Sequence, residues 1–243
     1  MKDGLLNESI RGETNGMLHD WSTDMGSCSF NHIEVIFRNQ EKRLISLINQ
    51  YKNNAIFGCV AWLTSVPILK ALSNCKNVQI IVQKEDFLRP DIGVRNRNSW
   101  KDELQALYSK VSCRFARYEF REPIRNLSIC CDPTVDAIRC VGNYNSDKSP
   151  AFPRMHHKFL VFCNITERGN DIVDYNPVAV WTGSFNLTHN ATMSFENNIY
   201  LVDHSGENYI LNGYLNEHHQ IFALSEPLNW SSNWVEPEFR IGT

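Results

Sequence analysis

The sequence predicts an α/β fold in which one mixed β-sheet is sandwiched between helices. Short apolar runs alternate with segments whose apolar residues recur every three or four positions, and several of the runs lack a polar face. Such runs are typical of strands in a sheet that is covered on both sides. The chain has 243 residues, 42% of them hydrophobic, and shows no internal repeat. We therefore expect a polar N-terminal arm over residues 1–30 and one globular domain over residues 31–243.

The first half of this domain is interpreted as strands and helices in alternation. We expect strands at about 33–37, 55–61 and 78–82, with a helix at about 40–51 between the first two. Ser65 is the predicted N-cap of a second helix, because a serine hydroxyl can accept a backbone N–H bond and Pro67 is tolerated in a first turn. A charged loop follows, then a helix at about 99–110 and a strand at about 113–118.

The second half begins with residues 121–150, where prolines and a polar run indicate turns around short strands. A strand at 155–163 is expected to lead into an acidic loop that holds Glu167, Asp171 and Asp174. A strand at 178–182, a turn with the sequence G-S-F-N-L-T, a strand at 197–202 and a helix at about 206–224 complete the prediction.

Composition excludes several classes of protein. The net charge of -3 argues against a polybasic nucleic-acid coat, although residues 76–125 contain eleven Lys and Arg and only seven Asp and Glu. No apolar run has the length of a signal peptide or of a membrane span, so we expect a cytoplasmic protein without a membrane segment. The eight cysteines are scattered and include no Cys-x-x-Cys pair, which favours free thiols over disulfides or a zinc site.

Two short segments carry the polar residues that indicate function. In P-R-M-H-H-K-F-L-V-F, His156 and Lys158 share one face of the predicted strand, because strand side chains alternate between faces. An imidazole beside an ammonium group is costly to bury without an anion, and a phosphate group fits that role. The second segment, W-T-G-S-F-N-L-T, contains Ser184 and Asn186, and Glu196 follows it closely.

The order H-x-K, then G-S-x-N, then Glu resembles the HKD motif of the phospholipase D superfamily. The stretch from Ile33 to Gln83 is also similar to the opening of that superfamily's single-motif domain, so the resemblance covers roughly two-thirds of the chain. It implies a phospholipase D-like catalytic domain over residues 31–243 that uses neither a metal ion nor a cofactor. The family's aspartate, five residues beyond the lysine, is here Cys163.

The resemblance also implies a role for each residue of the motif. His156 would attack phosphorus and form a covalent phosphohistidine, while Lys158, Ser184 and Asn186 stabilise the phosphoryl oxygens. Gly183 would let the backbone approach the phosphate, and Glu196 would fix the tautomer of His156. Because one motif supplies one histidine and the reaction needs two, we expect a symmetric homodimer.

A nuclease that cleaves DNA or RNA is the first functional interpretation, since single-motif members of the superfamily are commonly nucleases. Arg95, Arg97 and Lys101 would then follow the nucleic-acid backbone. A lipid phosphodiesterase and a catalytically weak scaffold that binds nucleic acid remain alternatives. The replacement of the family's aspartate by Cys163 is the feature that keeps the scaffold interpretation open. We interpret His157 as structural and the remaining histidines beyond the motif as surface residues: His189, His204, His218 and His219.

Overall fold

The computed structural model of the chain describes residues 12–14, 17–19, 24, 26–85, 88, 99–115, 135–142, 154–169, 171–205 and 207–228. The strands are β1 (Gly12–Thr14), β2 (Met17–His19), β3 (Cys28–Phe30), β4 (Ile33–Ile36), β5 (Ala55–Val60), β6 (Asn77–Gln83), β7 (Ile138–Val141), β8 (Lys158–Arg168), β9 (Asp171–Gly183), β10 (Asn198–Val202) and β11 (Glu226–Pro227). The helices are α1 (Gln40–Gln50), α2 (Val66–Leu72), α3 (Ser99–Tyr108), α4 (His189–Thr192) and α5 (Tyr209–Leu224).

Nine of these strands form one mixed sheet in the order β11-β7-β6-β5-β8-β9-β10-β4-β3, and β1 pairs with β2 in a separate hairpin. Strands β5, β6 and β7 run parallel, and the other pairs are antiparallel. Apolar residues of α1, α2 and α3 pack in the core on one face, and those of α5 pack in the core on the other. The predicted α/β sandwich is therefore confirmed.

Local chemistry explains where α2 begins. The Ser65 hydroxyl accepts a hydrogen bond from the backbone N–H of Ile68 at 3.3 Å, and Pro67 lies in the first turn of α2. This confirms the predicted N-cap. Strands β5 and β6 are buried along their whole length, as expected for parallel strands between two helical layers. The strand predicted at 113–118 is not found over residues 113–115, and residues 116–118 lie outside the described ones.

The predicted acidic loop is wrong. Strands β8 and β9 form one long hairpin, and Glu167, Asp171 and Asp174 lie on its strands. Proline lacks a donor for the strand ladder, so a proline inside a strand needs a local irregularity. The structure accommodates Pro177 opposite Cys163, where the register of the two strands shifts. Cys163 itself is fully buried.

The placement of His218 and His219 on the surface is also wrong, because α5 buries both rings. The two Nδ1 atoms lie 3.1 Å apart, and His219 Nε2 lies 2.7 Å from the hydroxyl of Tyr175. His218 Nε2 is hydrogen-bonded to Gln79 on β6. Partners within the core satisfy these polar rings, which explains why the protein can bury them. Within the described part of the chain, no helix is long and apolar enough to cross a membrane.

Candidate active site

The predicted site lies where several strands end on the same side of the sheet. Lys158 opens β8 and pairs with Val60, the last residue of the parallel strand β5. On the other side of β8, Gly183 closes β9 and pairs with Asn198 at the start of β10. The carboxyl ends of parallel strands are the usual position for a ligand site in an α/β sheet. The fold therefore brings the H-x-K and G-S-x-N segments together at that edge.

Lys158 and His156 are in direct contact. The Lys158 ammonium nitrogen lies 2.9 Å from Nδ1 and 3.2 Å from Nε2 of His156, and it donates to the His156 carbonyl oxygen at 2.8 Å. An ammonium group only donates hydrogen bonds, so a ring nitrogen that accepts one must be unprotonated. The contact therefore favours a neutral imidazole, and the His156 side chain is exposed to solvent.

The electrostatic surroundings of His156 also favour its neutral form. Partial burial, and then the positive charges of Lys158 and Arg154, lower the pKa of His156 below its usual value. Partial burial also lowers the pKa of Lys158, and the charge of Glu196 opposes that shift. Glu196 thus lies close enough to stabilise the Lys158 ammonium. A neutral histidine beside a charged lysine is the protonation state that nucleophilic attack on a phosphate requires.

Glu196 makes a different contact from the expected one. Its carboxylate accepts a hydrogen bond from the Ser184 hydroxyl, and among the described residues no hydrogen bond joins it to His156. The Ser184 hydroxyl also accepts from the backbone N–H of Asn197 at 3.0 Å. The backbone of Glu196 is held in turn by Gln40, whose side chain donates to its carbonyl oxygen at 2.9 Å. Glu196 therefore orients Ser184 and balances the charge of Lys158.

Asn186 contributes a buried polar atom to this edge of the sheet. Its side-chain Oδ1 has no hydrogen-bond partner within the described residues. The segment around it is fixed by backbone bonds, since the N–H groups of Thr64 and Ser65 both donate to the Leu187 carbonyl at 2.8 Å. Leu187 N–H donates in turn to the carbonyl oxygen of Trp62 at 3.0 Å. The loop that follows β5 thus holds the G-S-x-N segment in place.

Three residues that the motif did not indicate surround His156. The ring centroid of Trp62 lies 6.4 Å from that of His156, with the two rings nearly perpendicular. The indole N–H of Trp62 donates to Oε1 of Glu85 at 3.2 Å, and Arg154 donates to the same oxygen at 2.5 Å. Trp62 and Glu85 lie two residues beyond the ends of β5 and β6, so a rule that looks for polar residues after buried strands would have found them.

Two cavities lie beside His156 and the residues that surround it. One, of about 380 Å³, is lined by Val141, Arg154, Met155, His156, Ile221 and Leu224. The other, of about 370 Å³, is lined by Trp62, Glu85, Trp100, Thr188, His189 and Asn190. Within the described residues, no group of three or more His, Cys, Asp or Glu side chains is arranged to hold a metal ion.

The remaining predicted residues differ in whether the structure describes them and in how exposed they are. Arg95 and Arg97 lie outside the described residues. Lys101 lies on α3 and is only 7% exposed, so the structure does not present its side chain as an open surface cation. His157 is exposed and lies 3.0 Å from Glu217 of α5. The expectation that His157 points away from His156 agrees with this contact.

The fold and the site define a mixed α/β protein with a His–Lys pair and a Ser–Glu pair at the carboxyl ends of its parallel strands. No protein-family model matches the chain. An uncharacterized protein of Acanthamoeba polyphaga mimivirus is 32% identical over 219 residues, an alignment that covers 84% of this chain and 70% of that protein. The chain belongs to the same family as this mimivirus protein.

Solved structures with a similar arrangement include two bacterial proteins. The phospholipase D family member Nuc from Salmonella typhimurium has a TM-score of 0.45 and 19% identity, over 80% of this chain and 95% of that one. NucT from Helicobacter pylori has a TM-score of 0.44 and 13% identity, over 80% of this chain and 98% of that one.

Proposed function

We propose that the protein is a metal-independent phosphodiesterase of the phospholipase D type, a nuclease that cleaves DNA or RNA. The observation that carries the proposal is the contact of the Lys158 ammonium with both ring nitrogens of an exposed His156, at 2.9 and 3.2 Å. The order of His156, Lys158, Ser184, Asn186 and Glu196 resembles the superfamily motif, and the strand register supports their grouping at one edge.

The proposed reaction proceeds in two displacements. A ring nitrogen of neutral His156 attacks phosphorus, the P–N bond forms, and the P–O bond to the leaving alcohol breaks as that oxygen takes a proton from an acid. Water then attacks the phosphohistidine, its proton passes to the conjugate base of that acid, and the P–N bond breaks. Lys158 and the Asn186 amide stabilise the phosphoryl oxygens, joined by Ser184 once its hydroxyl turns from Glu196 to the phosphate, and each such donor typically contributes about 3 kcal/mol to transition-state stabilisation.

The acid in this scheme is His156 of a second copy of the chain. Each copy has one H-x-K segment, and the reaction needs one histidine as nucleophile and another as proton donor. A two-fold axis beside His156 would supply both from a symmetric homodimer. The exposed ring of His156 supports this arrangement, because a partner's histidine must reach the same phosphorus atom.

A cleavage assay in excess EDTA tests the activity. Plasmid DNA, single-stranded DNA and RNA are incubated with the wild-type protein and with His156→Ala. Cleavage of a nucleic acid that persists in EDTA and is lost in His156→Ala is expected. Binding without cleavage would instead identify a scaffold, and His157→Ala is the matched control for loss of a neighbouring histidine.

Mixed dimers test the shared site. Unfolded wild-type and His156→Ala chains are refolded together at known ratios, and the rate is measured against the wild-type fraction. If each active dimer needs two copies of His156, the rate falls with the square of that fraction. A linear fall, or a fully active species with the mass of one chain, would rule out the shared site.

A lipid phosphodiesterase is the second candidate, and the cavity of about 380 Å³ beside His156 favours it. Its walls include Val141, Met155, Ile221 and Leu224, so the diacylglyceryl part of a phospholipid could lie next to the histidine while the headgroup alcohol leaves. Release of headgroup from phosphatidylcholine vesicles, without cleavage of any nucleic acid, would support this candidate over the nuclease.

A further inference from the structure

We propose that the cavity between Trp62 and Trp100 is a nucleobase subsite for the nucleotide next to the scissile phosphate, selective for bases that carry an amino group. The proposal rests on the proposed phosphodiesterase function, because it places the base relative to a phosphate at His156. The cavity has a volume of about 370 Å³, and two tryptophans, Trp62 and Trp100, line it. Trp100 is 48% exposed, so its side chain is accessible to a ligand in the cavity.

The cavity and His156 share Trp62 as a neighbour. Trp62 lies between the cavity and the motif, with its ring centroid 6.4 Å from that of His156. The segment 188–190 forms another part of the wall, directly after the G-S-x-N residues. Backbone bonds from Leu187 to the loop that follows β5 fix these two walls relative to each other. A phosphate at His156 and a ring in the cavity would therefore belong to neighbouring groups of one substrate.

The chemistry of the wall favours a neutral planar ring over a second phosphate. Aromatic side chains stack on any nucleobase, so Trp62 and Trp100 suit such a ring. The carboxylate of Glu85 would repel a phosphate at the same place. Asn190 adds a side chain that both donates and accepts hydrogen bonds.

Glu85 also supplies the selectivity. Its side chain is only 13% exposed, and both of its side-chain donors, from Trp62 and Arg154, bond to Oε1. In the described part of the chain, Oε2 accepts no hydrogen bond. A carboxylate oxygen that lines a cavity accepts readily from the exocyclic amino group of a base such as cytosine. The wall is therefore suited to cytosine or adenine and less suited to uracil, which has no amino group.

Calorimetric titration with small ligands tests the subsite without any cleavage. The probes are 5′-AMP, adenosine, ribose 5-phosphate, CMP and UMP, each titrated into the full chain in EDTA. Stacking of one base corresponds to a factor of about 5 to 150 in affinity, so 5′-AMP should bind at least about 5-fold more tightly than ribose 5-phosphate. CMP should exceed UMP by a similar factor.

Variants of the exposed indole make the test specific. Trp100→Ala should abolish the difference between 5′-AMP and ribose 5-phosphate, Trp100→Phe should retain most of it, and Tyr209→Ala, an exposed aromatic on α5, is the matched control. Equal binding of 5′-AMP and ribose 5-phosphate by the wild-type protein would overturn the subsite but leave the phosphate site. Binding of adenosine that depends on Trp100, in a protein that cleaves no phosphodiester, would support the subsite and overturn the nuclease.

Discussion

The carbonyl oxygen of Asn197 lies so close to Gly183 that a Cβ atom on this glycine would be 2.0 Å from it. Gly183 is the last residue of β9, and Asn197 directly precedes β10. The Ser184 N–H donates to the same carbonyl oxygen at 2.9 Å. The contact between the two strands therefore requires glycine at this position. We assign Gly183 to the close packing that positions Ser184, in addition to its proposed role near the phosphate.

Gly183→Ala should lower the free energy of unfolding by about 1–3 kcal/mol, as overpacked sites usually do, because the new methyl group must displace backbone. Gly213→Ala is the control, since a Cβ there meets nothing within 4 Å and the residue lies inside α5. That substitution should stabilise the protein by about 0.5–1 kcal/mol. Urea unfolding curves measure both changes, and equal stability of Gly183→Ala and wild type would contradict the packing argument.

Removing the charge of Arg154 should raise the pKa of His156. Arg154 lowers that pKa directly, and its loss also leaves the opposing charge of Glu85 without its ion pair. In Arg154→Gln the ring should therefore take up its proton at a higher pH than in the wild type. NMR titration of the histidine ring protons measures the shift. Arg114→Gln, which breaks an ion pair with Glu167 near the opposite end of β8 from Lys158, should leave the titration of His156 unchanged.

Glu196→Gln should make Lys158 lose its proton more readily. The charge of Glu196 raises the pKa of Lys158 against the larger lowering effect of burial. Without that charge the pKa of Lys158 falls further, so the alkaline limb of the pH–rate profile should move to lower pH. Glu217→Gln, which alters the carboxylate beside His157, is the control. An alkaline limb that stays in place would mean that Lys158 does not control activity there.

Stability should decrease in mild acid because of His218. Burial, and then the neighbouring His219, lower the pKa of His218 far below the usual value of 6.5. Below about that pH the unfolded chain binds a proton that the folded protein does not, so the free energy of unfolding falls as pH falls, by up to about 1.4 kcal/mol per pH unit. Thermal unfolding between pH 5 and 7.5 measures this slope.

His218→Gln should flatten that slope even if it also lowers stability at neutral pH. The exposed His204 provides a comparison, and His204→Gln should preserve the wild-type dependence on pH. An unchanged slope in His218→Gln would show that other groups cause the acid sensitivity.

Much of the fold could be predicted because its signals are local. Ser65 and Pro67 mark the start of α2, and the apolar runs of β5 and β6 match strands that are buried throughout. The β8–β9 hairpin was missed because Glu167, Asp171 and Asp174 indicated an acidic loop, whereas they lie on its strands. No local pattern could reveal that Gln79, on another element, would satisfy a buried His218.

In the candidate site, too, local features could be predicted and contacts between distant segments could not. The two-residue spacing predicted that His156 and Lys158 lie close together, and the structure shows their contact at 2.9 Å, although the predicted strand at 155–163 begins only at Lys158 and His156 lies just before it. The partner of Glu196 could not be predicted, because it depends on how β9 and β10 pair and on the bond from Gln40. Trp62, Glu85 and Arg154 were missed since they come together from three separate segments.

The pairing of Val60 with Lys158 joins residues that are distant in sequence at the centre of the sheet. A contact of this kind closes a long loop, and the entropy of closure opposes its formation until other contacts compensate. Proteins dominated by such non-local pairings fold slowly. The strand end that carries the His–Lys pair therefore cannot join β5 on the nascent chain until β8 has been synthesised, so the assembled site should be acquired late in folding.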